Sequence, residues 1–342
     1  MRDTQLDIYR ALVMLYIVCF IHVLYWLEDG REPFLSLLLI EMPFVFFVSG
    51  AAVSVSRSRR NLLVTIINRL KRVVAPYYIY AILLIAIGAI VSIVCRSASI
   101  SDAALVDISK YRWKDIAAVL LARNIPQFPF IWHLWFIPIY LILSCTFPLQ
   151  IKLMKKMNGI IYFAACIILF LISHAVTGVD LIRQILGFNI FMVAGYLFYR
   201  KISFKTIAIA CAVTLTVLLV AIHLFGVDFF PMQRHKFPPD WMYVLYNLFV
   251  LCLLSMIFSR LQLRYNTVFK IWNERGYHIY LYQSIIFTVV EILRHQTPFG
   301  LPTSPLIRTI LDGGLVFLLA TGLSYLTYPI EKYVMNRIKF VK

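Results

Sequence analysis

The chain's apolar residues fall in long runs separated by short polar or basic connectors. The runs lie at about 11–27, 33–55, 73–95, 132–151, 159–176, 181–199, 206–225, 241–258, 276–293 and 306–328. A helix needs about 20 apolar residues to cross a bilayer, so these runs predict ten membrane spans. Two stretches, Asn61 to Leu70 and Trp113 to Arg123, have the pattern of amphipathic helices lying on the membrane surface. The first run is read as a span, not a cleaved signal peptide: no small-residue cleavage site follows it, and the rest of the chain also spans the membrane. The expectation is an all-α, polytopic transmembrane helix bundle of about ten spans, a single membrane domain over 1–342 with no appended soluble domain.

Composition agrees. Of 342 residues, 61% are hydrophobic and 14% charged, where a soluble domain carries about 25% charge. The six cysteines are scattered through apolar runs without metal-ligand or CxxC spacing, and read as small buried hydrophobes. The net charge of +17 raises the question of nucleic acid. With ten spans, however, most Lys and Arg fall on the side of the two termini. The positive-inside rule then places both termini in the cytoplasm and accounts for the charge without nucleic acid.

Walker, GxSxG, HExxH and dinucleotide motifs are absent from the sequence. Two ionisable residues at membrane depth stand out instead. His22 lies in the first run, about 18 Å along a helix from Arg10. Glu41 lies about eight residues into the second run, at similar depth. Such residues are costly in hydrocarbon and mark functional sites unless they merely pair to aid packing. A histidine oriented by a glutamate can act as general base toward a hydroxyl. The basic group Arg69-Leu70-Lys71-Arg72 offers guanidinium groups that grip phosphates, although on composition alone topology charge or anionic lipid is the better explanation. His133 sits between Trp132 and Trp135 and has the look of an interfacial aromatic belt. His174, His223, Glu291 and Asp312 near span ends are explained by snorkelling, and Asp312-Gly313-Gly314 by a close packing face.

Taken together, these pieces resemble the acyltransferase-3 family of integral membrane O-acyltransferases that modify bacterial surface glycans. Leu6-Asp7-Ile8-Tyr9-Arg10-Ala11 followed by His22 is similar to that family's opening Asp, Arg and intramembrane His. Pro43 to Gly50 is similar to its second-helix motif, and Arg69 to Tyr78 to its RxxR cluster with Pro-Tyr entry to the third helix. His133-Leu134-Trp135-Phe136 and Tyr277-His278-Ile279-Tyr280-Leu281 resemble its Leu-Trp-Phe-Leu and Ile-Tyr-Leu stretches. The resemblance implies transfer of an acyl group, foremost acetyl, from cytoplasmic acyl-CoA to a sugar hydroxyl of a surface polysaccharide or its lipid-linked precursor. It implies a multi-pass protein of the bacterial inner membrane with no metal. It implies His22 as the catalytic residue, Arg10 as its partner, and Arg69 and Arg72 as donor-binding residues; the reading of the residues themselves adds Glu41 to the catalytic set and Lys71 to the donor site. Trp132, His133, Trp135 and Tyr280 are weaker candidates for contact with the sugar, beside an outer loop 96–131 as lid.

Two departures stand out. Eleven residues, where the family has ten, separate Arg10 from His22, which puts them about 120° apart on a regular helix. Either a π-bulge realigns them or they serve different places. Gln283 stands where the family often has His after Ile-Tyr-Leu. The main rival reading is a carrier of lipid-linked sugars without chemistry, which calls for inverted repeats and broken helices.

Overall fold

The computed structural model describes residues 3–27, 33–56, 62–97, 113–120, 132–226, 228–261, 263–296 and 304–337. Within them the regular structure is helical, and the only β feature is one bridge between Lys236 and Pro239. The helices are α1 (Thr4–Tyr16), α2 (Glu41–Val55), α3 (Leu62–Ser97), α4 (Trp113–Leu120), α5 (Phe136–Lys156) and α6 (Gly159–Ser173). They continue as α7 (Asp180–Phe198), α8 (Phe204–Phe225), α9 (Met232–Lys236), α10 (Trp241–Arg260), α11 (Thr267–Gln296) and α12 (Pro305–Arg337). An all-α helix bundle is what the apolar runs predict.

Among the described residues, seven helical stretches are long and apolar enough to cross a bilayer. The other three runs lie in α3, α6 and α11, and here the boundaries differ from expectation. The surface helix expected at 61–70 and the third span are one continuous helix, α3, with Pro76 inside it. α11 likewise starts at Thr267, inside the basic connector. The reason is local: Lys and Arg are good helix formers, and neither connector carries a glycine or proline where a break is expected. α4 covers most of the second expected surface helix, while the rest of the loop 98–131 lies outside the described residues.

The first two spans are irregular. α1 passes into a π-helical turn at Ile17–Ile21, and a second follows at Val23–Leu27, with His22 between them. The second span opens as a 3₁₀ helix, Pro33–Leu38, and α2 begins only at Glu41. A break at membrane depth frees backbone carbonyls that have no water to bond. Two tyrosines supply the donors: Tyr16 Oη donates to Leu38 O at 2.6 Å and Tyr246 Oη to Leu37 O at 2.7 Å.

The chain divides into two compact units. The first comprises 1–59, 149–276 and 300–314, the second 60–148, 277–299 and 315–342. In the first unit α2 and α7 cross in backbone contact. A Cβ on Gly50 would lie 1.8 Å from Met192 O, and one on Gly195 would lie 1.9 Å from Phe47 O. The glycine of the Ser49-Gly50 pair is thus required by packing, in the way small residues let membrane helices approach. In the second unit Tyr80 packs edge-on against Tyr282 and donates or accepts a 2.9 Å bond with Ser284 Oγ, and Tyr277 Oη donates to Val73 O at 3.0 Å.

Candidate active site

The N-terminus of α1 is tied down by acids. Asp3 caps the helix through Oδ1 on Leu6 N (3.1 Å), and its Oδ2 pairs with Arg200 (3.0 Å). Asp7 is buried and its Oδ1 holds Arg10 Nη1 at 3.1 Å, while the Arg10 side chain remains 41% exposed. The Asp of the opening motif therefore orients the arginine one turn on.

His22 is buried, 8% exposed, and its backbone N–H bonds Ile17 O, closing the π turn. This turn bears directly on the spacing anomaly. Twelve steps of a regular helix leave Arg10 and His22 about 120° apart; one residue absorbed by a π turn removes about 100°, leaving about 20°. The two residues thus return to one side of the helix, still about 18 Å apart along its axis, too far for contact. The π turn also pushes backbone outward, and Gly313 meets it: a Cβ there would lie 2.2 Å from Cys19 O. The glycines after Asp312 do mark a close packing face, through Gly313 and not Gly314, beside which nothing lies within 4 Å.

Glu41 has a cation as its partner. Its Oε1 is bound by Lys236 Nζ from α9, a buried pair in which the Glu41 side chain is 1% exposed, and its Oε2 has no partner among the described residues. Sequence reasoning misses Lys236 because the segment 228–240 reads as a polar outer loop. In the structure it folds in against the interrupted second span: Met232 N donates to Ser36 Oγ at 2.7 Å, and Met232 and Lys236 are buried. A signal does exist, since a carboxylate at membrane depth calls for a cation, and Arg234 and Lys236 are among the cations of the connectors on that side. Glu41 also opens α2, where the helix dipole favours negative charge. The phenols of Tyr16, Tyr25 and Tyr243 lie within its electrostatic reach. The hydroxyls of Tyr25 and Tyr243 have no partner among the described residues. The first unit thus holds a buried cluster with three unused polar atoms: Glu41 Oε2, Tyr25 Oη and Tyr243 Oη.

The loop is braced by His235, whose Nδ1 meets Asp240 Oδ2 at 2.5 Å while Asp240 Oδ1 caps α10 on Tyr243 N at 3.0 Å. The hydrogen bond to Asp240 raises His235 above the ordinary imidazole value, against the opposing effect of burial.

In the second unit Arg69 Nη1 donates to Ser144 O at 3.2 Å, leaving its other N–H groups for an anion. Arg69 and Arg72 are three residues apart on α3 and share a face, with Arg72 exposed; Lys71 is half-buried and points elsewhere around the helix. His133 is not part of an interfacial belt. It is fully buried, its Nε2 engages Leu281 O at 3.2 Å, and Tyr280 Oη donates to its carbonyl. Tyr280 is equally buried, its ring 5.1 Å from that of His133. These two expected sugar-contact residues are brought together, but as interior packing and not as a presented surface. Trp135 is half-buried, and the side chain of Trp132 lies outside the described residues, as does that of Glu291. His174, at the end of α6, engages Phe170 O through Nδ1 at 2.9 Å, while its Nε2 has no partner among the described residues. Gln283 is fully buried.

Among the described residues no three His, Cys, Asp or Glu side chains are grouped to hold a metal ion. No curated protein and no solved structure matches the chain. The family model described as an acyltransferase domain, that of the acyltransferase-3 family, matches residues 3–329, which include the opening Asp7 and Arg10, His22, the Ser49-Gly50 pair and the Arg69–Arg72 cluster. With nearly its whole length inside that match, and with membrane helices carrying a buried histidine, the chain belongs to the acyltransferase-3 family of membrane acyltransferases.

Proposed function

We propose that the protein is a bacterial inner-membrane O-acyltransferase that moves an acyl group, foremost acetyl, from cytoplasmic acyl-CoA to a sugar hydroxyl of a surface polysaccharide or its lipid-linked precursor. The observation that carries this reading is His22, buried within a family match and set between two π turns, the first of which returns it to the side of Arg10. The donor's phosphates are assigned to Arg69 and Arg72, with Lys71 adding charge nearby. Two guanidinium groups on one face of one turn fit a diphosphate, the more so because Arg69 is already held by Ser144.

In the reaction His22 takes the proton of the acceptor hydroxyl as its oxygen attacks the thioester carbonyl. The C–S bond breaks, and the proton returns to the leaving thiolate. Attack by His22 itself, through an acyl-histidine, uses the same residue. Glu41 is assigned to the acceptor's surroundings. The unused atoms Glu41 Oε2, Tyr25 Oη and Tyr243 Oη are what a hydroxyl-rich acceptor would satisfy. Arg10, held by Asp7 and exposed, serves the other end of α1.

The test is acyl content of surface glycans, by mass spectrometry, in a deletion strain complemented with wild type or His22→Ala. General acid–base catalysis contributes about 10²–10⁴-fold, so His22→Ala is expected to lower acylation at least a hundredfold at equal protein level. Unchanged acyl content would overturn the assignment. One observation favours the carrier reading: the first and second spans are interrupted, as half-helices in transporters are. Loss of the glycan itself from the surface in the deletion strain would support that reading instead.

A further inference from the structure

The first unit contains a cavity of about 630 Å³ that the acyl-transfer site does not use. Its walls come from α1, α2, α6, α7, α8 and α10 and include Phe44, Phe47, Phe198, Leu248, Leu251 and Phe258. Along α8 it runs from Phe204 to Thr214, ten residues, or about 15 Å, which is half of a roughly 30 Å hydrocarbon core.

The hydroxyls along the deeper wall are already spent. Thr214 Oγ1 donates to Ala210 O (2.8 Å) and Ser255 Oγ to Leu251 O (2.7 Å). A cavity without free polar partners stays dry, so its occupant is apolar. The other end is different. Arg200 lines it, already paired with Asp3 Oδ2 at 3.0 Å but with a side chain 58% exposed and 5.6 Å from the Tyr199 ring, and Arg260 stands 4.7 Å over the ring of Phe204. Gln5 Oε1 at the same end is buried without a partner among the described residues. Phe204 and Leu261 are 39% and 46% exposed there, which leaves that end open to the bilayer interface.

We infer that this cavity binds one phospholipid with an anionic, hydroxyl-bearing headgroup from the adjoining leaflet, one acyl chain lying along α8 and α10 on the side that faces α1, α2 and α7. A dry slot one leaflet deep accepts the chain, two arginines meet the phosphate, and Gln5 accepts a hydroxyl from the headgroup. The inference does not depend on His22 or on the reaction.

Full-length protein purified in detergent and titrated with phosphatidylglycerol or phosphatidylcholine is read by native mass spectrometry. Wild type is expected to retain one phosphatidylglycerol. Ala210→Trp, which fills the slot, is expected to lose it, and Arg200→Gln with Arg260→Gln to weaken it about tenfold. Equal retention of both lipids by wild type would overturn the headgroup assignment, and undiminished retention by a folded Ala210→Trp would overturn the cavity. Independently of any variant, wild-type protein in nanodiscs with phosphatidylglycerol carrying a photoreactive acyl chain should be labelled at Thr214, Leu248, Leu251 or Cys252. Labels confined to the exposed faces of α6 and α8 would sink the proposal.

Discussion

A single buried carboxylate shows how much depends on one partner. Glu41 and Lys236 are both out of water, and each makes the other tolerable. Removing one leaves an uncompensated charge, at a cost of about 3–5 kcal/mol, whereas replacing both with apolar residues is often neutral. Lys236→Met is therefore expected to lower the thermal unfolding midpoint sharply, and Glu41→Met in the same chain to recover most of the loss. Circular dichroism melts in detergent read this, and a Lys236→Met protein as stable as wild type would show that the pair does not form. His22 is legible in the sequence because an ionisable residue in an apolar run announces itself, and Arg10 because it closes the opening motif just before that run. Lys236 is not, since it stands in a loop whose composition says polar but whose fold carries it inward. Depth is a property of the loop's path, and no periodicity records it.

Among the elements, the π turn at Ile17–Ile21 is the feature that reconciles an odd spacing with the family pattern. If it absorbs one residue, deleting Cys19 should restore a regular helix without changing the phase of His22, and activity should largely survive. Deleting Leu12 instead, in the regular part of α1, should turn His22 by about 100° and abolish transfer. Glycan acylation by the two deletion variants is the measurement, and equal loss in both would mean that the turn does not set the phase. The helical segments themselves are plain from the apolar runs. Their ends at Leu62 and Thr267 are not, because a basic connector that reads as an interface is also a good helix. The interruption before Glu41 is hidden for a related reason: Ser36 to Ile40 are mostly apolar residues that would suit an unbroken helix, and the break rests on tyrosine donors from two other helices.

At the scale of the molecule, His22 belongs to the first unit and Arg69, Lys71 and Arg72 to the second, although one family match covers both. Chemistry and donor binding should then be separable by mutation. Arg69→Ala with Arg72→Ala is expected to weaken coenzyme A binding to the purified protein tenfold or more, while His22→Ala leaves it within about twofold. Isothermal titration distinguishes them, and unaltered affinity in the arginine variant would return that cluster to topology charge. Gly50 and Gly195 carry a last consequence. With each backbone seated against the other's carbonyl, a slip of one residue between α2 and α7 would drive side chains into the main chain. That pair can only travel as one block, so any gate that admits an acceptor toward Glu41 has to be worked by the short 3₁₀ piece and the inward-folded loop, the parts free of that rivet.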